Sequence, residues 1–276
     1  MAEQQALATF LRARRGLLKP ADVGLAEGER RRVAGLRREE VAMLAGISAE
    51  YYLRLEQGRE RQPSDQVLEG LASALQLNDD AAEYMRTLAR PAPRSRRRGA
   101  ASAEKADPGL QTLLDNWHTT PAYVSGRHMT ILVANPMARA LMPFFAPQVN
   151  QLRAIFLEPE LRTWVRNWDE VAAIMVSWLR FNIAEESPND PELQSLIGEL
   201  SIASQRFRTL WARQDVRQKI SGPAIFDHPQ VGLLELRYRA FLLPESGQAL
   251  VTYYAERETP SEERLRLLSS LVEPTV

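Results

Sequence analysis

The charged and aromatic residues best placed for chemistry cluster between residues 36 and 59. This stretch, LRREEVAMLAGISAEYYLRLEQGR, holds two short helical patterns on either side of Gly46. The second pattern carries Glu50, Tyr51 and Arg54, which is more charge and tyrosine than packing requires. An arginine guanidinium presents its donors in a rigid planar fork that suits polar, planar partners. We therefore expect the second helix to contact a polar partner.

Residues that commonly serve catalysis show no comparable grouping. The three histidines, His118, His128 and His228, are scattered, and the chain has no cysteine. We find no nucleophile elbow, phosphate-binding loop, zinc-protease motif or dinucleotide fingerprint. The acidic stretch over 186–192 lacks the ligand spacing of a calcium loop. We expect a protein that is not an enzyme and holds no metal or cofactor.

Length and composition favour two domains. At 276 residues and 45% hydrophobic content the chain can bury a sizeable core. Residues 1–98 carry 18 basic and 14 acidic side chains, the remainder carries 17 and 21, and all five tryptophans follow residue 106. The lack of cysteine suits a reducing cytosol, and no signal peptide or membrane-spanning run is visible. We expect a cytoplasmic protein without membrane contact and a domain boundary near residue 100.

Periodicity predicts five helices before the boundary. They span residues 4–16, 38–44, 49–57, 66–75 and 81–88. Leu7, Phe10 and Leu11 lie at i, i+3 and i+4 and give the first helix an apolar face. A positive φ costs little at Gly46, and Ser48 is a good N-cap for the third helix. The first part of the chain is therefore predicted to be a compact all-α domain over residues 1–90.

The pattern around Gly46 resembles the helix-turn-helix of the XRE family, the DNA-binding domains of the lambda and 434 repressor type. The resemblance rests on Val41-Ala42, Gly46, Ile47-Ser48, Leu55-Glu56 and Gly58-Arg59. It implies that the third helix lies in the major groove of double-stranded DNA, with its N-terminal residues against base edges. It also implies a homodimer, because such domains suit two-fold symmetric half-sites.

Individual residues take roles from this resemblance. The positions that would face bases are Ser48, Ala49, Glu50 and Arg54. Arg54 could pair with guanine and Glu50 could accept from cytosine, each contact contributing about 1–3 kcal/mol of discrimination. Arg15 and Glu56 match a structural ion pair of relatives and are assigned to stability. Tyr52 falls on the inward face and is predicted to lie in the core.

A second set of residues is expected to contact the DNA backbone. It consists of Arg30, Arg31, Arg32, Arg37, Arg38, Tyr51 and Arg59. Five of these arginines lie within nine residues with no acid among them, partly on an insertion that follows the first helix. Each phosphate they neutralise would steepen the salt dependence of binding by about 0.9. An ordinary solvated loop is the alternative for the inserted arginines.

The second half is predicted to be an α+β domain behind a linker over residues 91–106. This linker mixes proline, glycine, alanine, serine and arginine and cannot bury enough apolar surface to order itself. The predicted elements are a helix over 110–117, a hairpin at 123–133, helices over 160–181 and 191–212, strands over 231–241 and 248–255, and a tail or helix over 259–276. The helices would be inserted between two parts of an antiparallel sheet.

This half resembles the MmyB-like ligand-binding domain, a PAS-like fold that occurs fused to XRE-type domains. The resemblance rests on PAYV (121–124), ANPMARAL (134–141), NQLRAIFL (150–157), FRTLWARQDVR (207–217) and HPQVGLLEL (228–236). It covers about residues 107–258 and implies a small amphipathic ligand such as a fatty acid. Candidate ligand contacts are Tyr123, Asn135, Arg153, Phe156, Trp168, Arg206, Phe207 and Trp211. For each, core packing or a structural ion pair is the alternative.

The two resemblances together predict a transcription regulator of the bacterial nucleoid that binds double-stranded DNA and a small-molecule effector. One alternative leaves the DNA-binding function intact but makes the second domain a dimerisation or protein-docking module without a ligand. A hydrolase tethered to DNA is a third class, for which the sequence offers no machinery.

Overall fold

The computed structural model describes residues 2–26, 31, 33–60, 62–90, 104–183, 190–217, 221–244 and 246–272. The chain packs as two compact units. The described residues within 1–98, 180–191 and 208–218 form the helical unit, and those within 99–179, 192–207 and 219–276 form the sheet unit. Within the described ranges, no helix combines the length and apolar character needed to cross a bilayer.

The N-terminal part of the helical unit contains the five predicted helices. They are α1 (Ala2–Leu17), α2 (Arg38–Leu44), α3 (Ala49–Glu56), α4 (Asp65–Ala74) and α5 (Asp79–Ala89), with a 3₁₀ turn at Pro20–Val23. Leu7, Phe10 and Leu11 are buried as predicted, and so is Tyr52, which is fully enclosed. The all-α prediction for this region is therefore confirmed, with helix ends within two residues of their expected positions.

Local side-chain chemistry sets where these helices begin and how closely they approach. The Ser48 side chain accepts from the Tyr51 amide at 3.1 Å and caps α3, as expected of an N-cap serine. Gly46, between α2 and α3, has a φ of +68°, which glycine adopts without strain. A Cβ on Gly70 would lie 2.5 Å from the Ala45 carbonyl oxygen, so glycine lets α4 pass close to this turn.

The sheet unit is built on five antiparallel strands. Its elements are α6 (Pro108–Asp115), β1 (Ala122–Ser125), β2 (Ile131–Ala134), α7 (Pro136–Leu141), α8 (Gln151–Leu157), α9 (Leu161–Trp164), α10 (Trp168–Asn182), α11 (Pro191–Ala203), α12 (Gln205–Ala212), β3 (Ser221–His228), β4 (Gly232–Leu243), β5 (Gln248–Tyr254) and α13 (Pro260–Leu271), although α10 and α12 end in the helical unit. The strand order is β2-β1-β5-β4-β3. Helices α7 to α12 follow β2 and precede β3, as the α+β prediction required.

Alternation along the strands gives the sheet two different faces. Tyr238 on β4 lies opposite Tyr253 on β5, and Tyr123 on β1 lies opposite Val251. Because alternate strand residues share a face, these side chains and Phe226 on β3 point to the same side of the sheet. The other side holds a separate apolar cluster around α6 and β1. The strands therefore present an aromatic surface to the helices on one face.

Two long helices predicted from periodicity are each interrupted. The first, expected over 160–181, breaks between α9 and α10, because the intervening backbone pairs with β3: the Arg166 amide donates to the Ile225 carbonyl at 2.8 Å. Asn167 adds side-chain bonds to Pro223 O and Ile225 N, both at 3.0 Å. The second, expected over 191–212, breaks at Ser204, whose hydroxyl accepts from a backbone amide and caps α12. Strand β3 itself was not predicted.

Asn135 fixes the junction between α6, β1 and α7. Its side-chain oxygen accepts from the amides of Ala122 at 3.1 Å and Ala138 at 2.8 Å. Its side-chain nitrogen donates to the carbonyls of Trp117 at 3.0 Å and Thr120 at 2.7 Å. The residue is fully buried, and its side-chain nitrogen also lies 3.5 Å from the Leu114 carbonyl oxygen, so five backbone groups depend on one side chain.

Replacing the Asn135 side chain should destabilise the sheet unit. We expect Asn135→Ala to lower the free energy of unfolding by about 2–4 kcal/mol, because it leaves buried backbone amides and carbonyls without hydrogen-bond partners. Asn116→Ala, at the exposed end of α6, is the matched control and should change it by about 0.5 kcal/mol or less. Urea unfolding followed by tryptophan fluorescence measures both. Equal effects of the two substitutions would contradict a structural role for Asn135.

Candidate DNA interface and ligand cavity

The start of α3 presents an exposed surface. Ser48, Ala49 and Glu50 are exposed, while Tyr51 and Arg54 are partly buried on the same helix. Three of the four predicted base-contacting residues, Ser48, Ala49 and Glu50, therefore lie at the start of α3, and Arg54 lies in its last turn. An exposed helix start is the part of a recognition helix that contacts base edges in a major groove.

Arg54 is held over the surface of α3 by weak polar contacts. Its guanidinium lies 3.4 Å from the Glu50 carboxylate and 3.7 Å from that of Glu60, and 5.3 Å from the ring centre of Tyr51. The Glu50 side chain is 82% exposed, so solvent screens this pair strongly. Arg54 can therefore leave these partners for a base edge at small energetic cost.

A buried carboxylate locks α3 to the rest of the helical unit. Glu56 Oε1 lies 2.6 Å from Arg15 Nε on α1, and Oε2 lies 2.6 Å from Arg38 Nε on α2. The Glu56 side chain is only 1% exposed. Burial by itself would raise the pKa of Glu56, but hydrogen bonds from Arg15 and Arg38 lower it below the ordinary value. The ion pair of Arg15 and Glu56 predicted from the resemblance is confirmed.

The predicted backbone contacts fall into different environments. Arg37 and Arg59 are exposed, whereas Arg38 is about half exposed and shares Glu56 with Arg15. Arg30 and Arg32 lie outside the described residues.

Arg31 is the inserted arginine whose surroundings are described. It forms a two-pronged pair with Glu40, at 2.7 and 2.8 Å, and also donates to the Gly35 carbonyl. The hydrogen bond from Arg31 is the main reason that the pKa of Glu40 falls to about 2. Arg31 therefore joins the insertion to α2, in addition to any contact with DNA.

An apolar cavity of about 90 Å³ lies inside the sheet unit. One wall is the aromatic face of the sheet, with Tyr123, Phe226, Tyr238 and Tyr253. The opposite wall is α10, whose lining residues Val171, Ile174, Met175 and Trp178 recur at the i, i+3, i+4, i+7 spacing of one helix face. Met129 and Met142 close further sides. Among the described residues that line the cavity, none is acidic or basic.

The polar atoms of the cavity come from a few neutral side chains. The Gln151 amide donates to the Tyr123 hydroxyl at 2.5 Å. The rings of Tyr123 and Tyr253 lie 6.3 Å apart, and those of Tyr253 and Tyr238 6.0 Å apart. Burial raises the pKa of Tyr123 and of Tyr253, so both phenols are neutral. Within the described structure, the buried indole nitrogen of Trp178 has no hydrogen-bond partner.

The structure distributes the predicted ligand contacts over several places. Tyr123 lines the cavity. Phe156, Trp168 and Phe207 form an aromatic cluster. The ring centre of Phe156 lies 6.0 Å from that of Trp168 and 5.2 Å from that of Phe207. Asn135 is committed to the backbone bonds described above.

The three remaining candidates contact other groups. Arg153 pairs with Glu199 at 2.8 Å and Arg206 with Asp169 at 3.0 Å, on the surface. Trp211 lies in the helical unit, where its ring stacks on the Arg180 guanidinium at 3.8 Å. A part for these residues in ligand binding stays a prediction.

Several lining residues escaped the sequence reasoning. Gln151, Tyr238 and Tyr253 supply polar atoms, and of these Gln151, a single polar residue on a short apolar helix, carries no spacing signal. The alternation of β4 and β5 does place Tyr238 and Tyr253 on the inward face, and this signal could have identified both tyrosines.

Family models match both parts of the chain. A model described as the MmyB-like transcription regulator ligand binding domain matches residues 106–268, and one described as a helix-turn-helix domain matches residues 6–85. No match to a curated protein was found.

The buried carboxylate of α3 should make the helical unit sensitive to substitution and to acid. We expect Glu56→Gln to cost about 3 kcal/mol of unfolding free energy at neutral pH, because Arg15 loses its buried partner. The lowered pKa means that the stabilisation is complete above the ordinary value of 4.5 and is lost as the pH falls through the folded-state value. The difference between the variant and the wild type should therefore shrink in acid.

Urea unfolding followed by far-ultraviolet circular dichroism measures this difference. Glu50→Gln, an exposed carboxylate on the same helix, is the control and should have little effect at any pH. A pH-independent penalty for Glu56→Gln would argue against an ionised Glu56 in the folded protein.

Proposed function

Because the chain belongs to the MmyB-like transcription regulators and carries a helix-turn-helix domain ahead of its ligand-binding domain, we propose that it binds specific DNA sequences and responds to a small molecule. The observation that carries the proposal is the exposed start of α3, together with the ion pairs by which the buried Glu56 of this helix is fixed to Arg15 and Arg38. A recognition helix needs both properties, since base contacts require a fixed orientation.

Specific contacts are assigned to the exposed face of α3 and to its N-cap. Arg54 would exchange its weak partners Glu50 and Glu60 for the acceptor atoms of a guanine. Glu50, once released, could accept from a cytosine amino group on the neighbouring base pair. Ser48 and Ala49 lie at the helix end that would approach most closely.

Contacts to the phosphates are assigned to exposed arginines around this helix. Arg59 follows α3 and Arg37 precedes α2, and both are exposed. Arg38 keeps about half of its side chain in solvent while paired with Glu56. Such contacts position the helix and make the affinity depend on salt, without reading sequence.

Control by a ligand requires that the ligand favour one arrangement of the protein over another. The cavity of the sheet unit supports the sensing proposal, because it is apolar and contains a few neutral polar groups. Occupancy would shift the population of DNA-competent molecules only as far as the ligand distinguishes the two states. We further propose that the regulator acts as a homodimer on half-sites about 34 Å apart, one turn of DNA.

The alternative of a docking or dimerisation module without a ligand can be separated from sensing. We expect a native mass spectrum of the protein purified from its own cells to show a retained small molecule. Ala224→Leu, on β3 in the cavity wall, should reduce its occupancy because the larger side chain takes up part of the space. A spectrum of ligand-free protein in both cases would favour the docking module.

Two arginines should separate base reading from backbone contact. We expect Arg54→Ala to cost about 1–3 kcal/mol on the preferred site and to relax preference at one base position. Arg59→Ala should weaken binding to all sequences and reduce the salt slope by about one unit. Selection from a randomised duplex pool, followed by affinity measurements at several salt concentrations, tests both.

Arg86→Ala on α5 provides the control for the loss of a positive charge. Arg86 is a surface residue that pairs with Glu83 on its own helix, so its removal should leave affinity and preference unchanged. Uniform effects of Arg54→Ala and Arg59→Ala on every sequence would contradict the assigned roles.

A further inference from the structure

We propose that the cavity of the sheet unit selects a compact apolar ligand carrying an uncharged hydrogen-bonding group, such as a hydroxyl or carbonyl, and that it rejects carboxylates. This inference rests on the proposed sensing function and specifies its ligand class. It differs from the fatty-acid-like ligand that the sequence resemblance implied.

The absence of charge in the described cavity lining argues against a carboxylate. An ionised carboxylate loses its hydration on burial, and a paired cation is the partner that offsets this cost most fully. Arg153 and Arg206, the cations suggested from the sequence, are held at the surface by Glu199 and Asp169. Their side chains are 46% and 39% exposed, and neither belongs to the lining. A buried carboxylate would therefore lack a compensating charge among the described residues that line the cavity.

The polar atoms that do line the cavity suit a neutral group. Gln151 and the phenols of Tyr123 and Tyr253 meet at one corner, where the amide already donates to Tyr123. Neutral hydroxyls can donate or accept, so they match an alcohol or a ketone without leaving a charge unpaired.

The size of the cavity favours a compact ligand. Its volume of about 90 Å³ is smaller than the roughly 300–1,000 Å³ usual for drug-sized ligands. Met129, Met142 and Met175 contribute to its walls, and methionine side chains adapt readily to a new shape. A short-chain ligand can therefore enter with rearrangement of these side chains, whereas a long acyl chain would require a larger opening.

A matched pair of probes tests the preference. The full chain would be titrated with 1-octanol and with octanoate by isothermal titration calorimetry above neutral pH. We expect octanol to bind at least about tenfold more tightly, because octanoate must be buried as an ion or protonated first. Octanoate binding should strengthen by about tenfold for each unit by which the pH is lowered towards the pKa of the acid, since the neutral acid is the species that fits.

Variants locate the binding group. Tyr253→Phe should weaken octanol binding by about three- to tenfold, the equivalent of one neutral hydrogen bond. Tyr254→Phe is the matched control, because the next residue of β5 lies on the opposite face of the sheet. Arg153→Gln and Arg206→Gln should leave the binding of both probes unchanged.

The outcomes distinguish this inference from the proposed function. Tight, pH-independent binding of octanoate that weakens in Arg153→Gln or Arg206→Gln would overturn the neutral-ligand inference and leave sensing intact. Binding of neither probe would also overturn it. Sensing itself fails separately, if the native mass spectrum shows no retained small molecule.

Discussion

The pairing of Glu56 with two arginines is the constraint on which the DNA-binding half depends. A carboxylate that is almost wholly buried needs charged partners to remain ionised, and two guanidinium groups hold this one. Since Arg15 belongs to α1 and Arg38 to α2, the same carboxylate ties three helices at one point. The exposed start of α3 can then carry polar residues that contribute nothing to the core, because its orientation is set at the other end of the helix.

The sheet unit combines binding and stability on opposite faces of one sheet. The face towards α10 carries tyrosines, and methionines from α10 and from loops complete the cavity wall, so side chains do not fill all the space between sheet and helix. The junction between α6, β1 and α7 is held by Asn135. Its side chain forms hydrogen bonds with backbone groups of β1, of the loop that precedes β1 and of α7. Because the hydrogen bonds of Asn135 hold the strands, we expect the methionine side chains of the cavity wall to rearrange without loss of the fold.

Sequence reasoning predicted the helices of the first unit because their signals are local. Apolar periodicity, the Ser48 cap and the turn at Gly46 each lie within a few residues of what they determine. The breaks at 165–167 and at Ser204 were missed because the first depends on pairing with a distant strand and the second on a single cap within an unbroken apolar stripe. The ion pairs of Arg153 and Arg206 were missed for a related reason, because their acidic partners come from other elements.

The segment between α9 and α10 also determines how the sheet ends. Along the outer side of β3, Asn167 occupies the Pro223 carbonyl and the Ile225 amide, and the Arg166 amide occupies the Ile225 carbonyl. Pro223 has no amide hydrogen to offer. An open sheet edge is a template for strand addition and aggregation, and here that template is capped along these residues. Any association between copies at this margin must therefore rely on side-chain complementarity, since the main chain there has few bonds left to share.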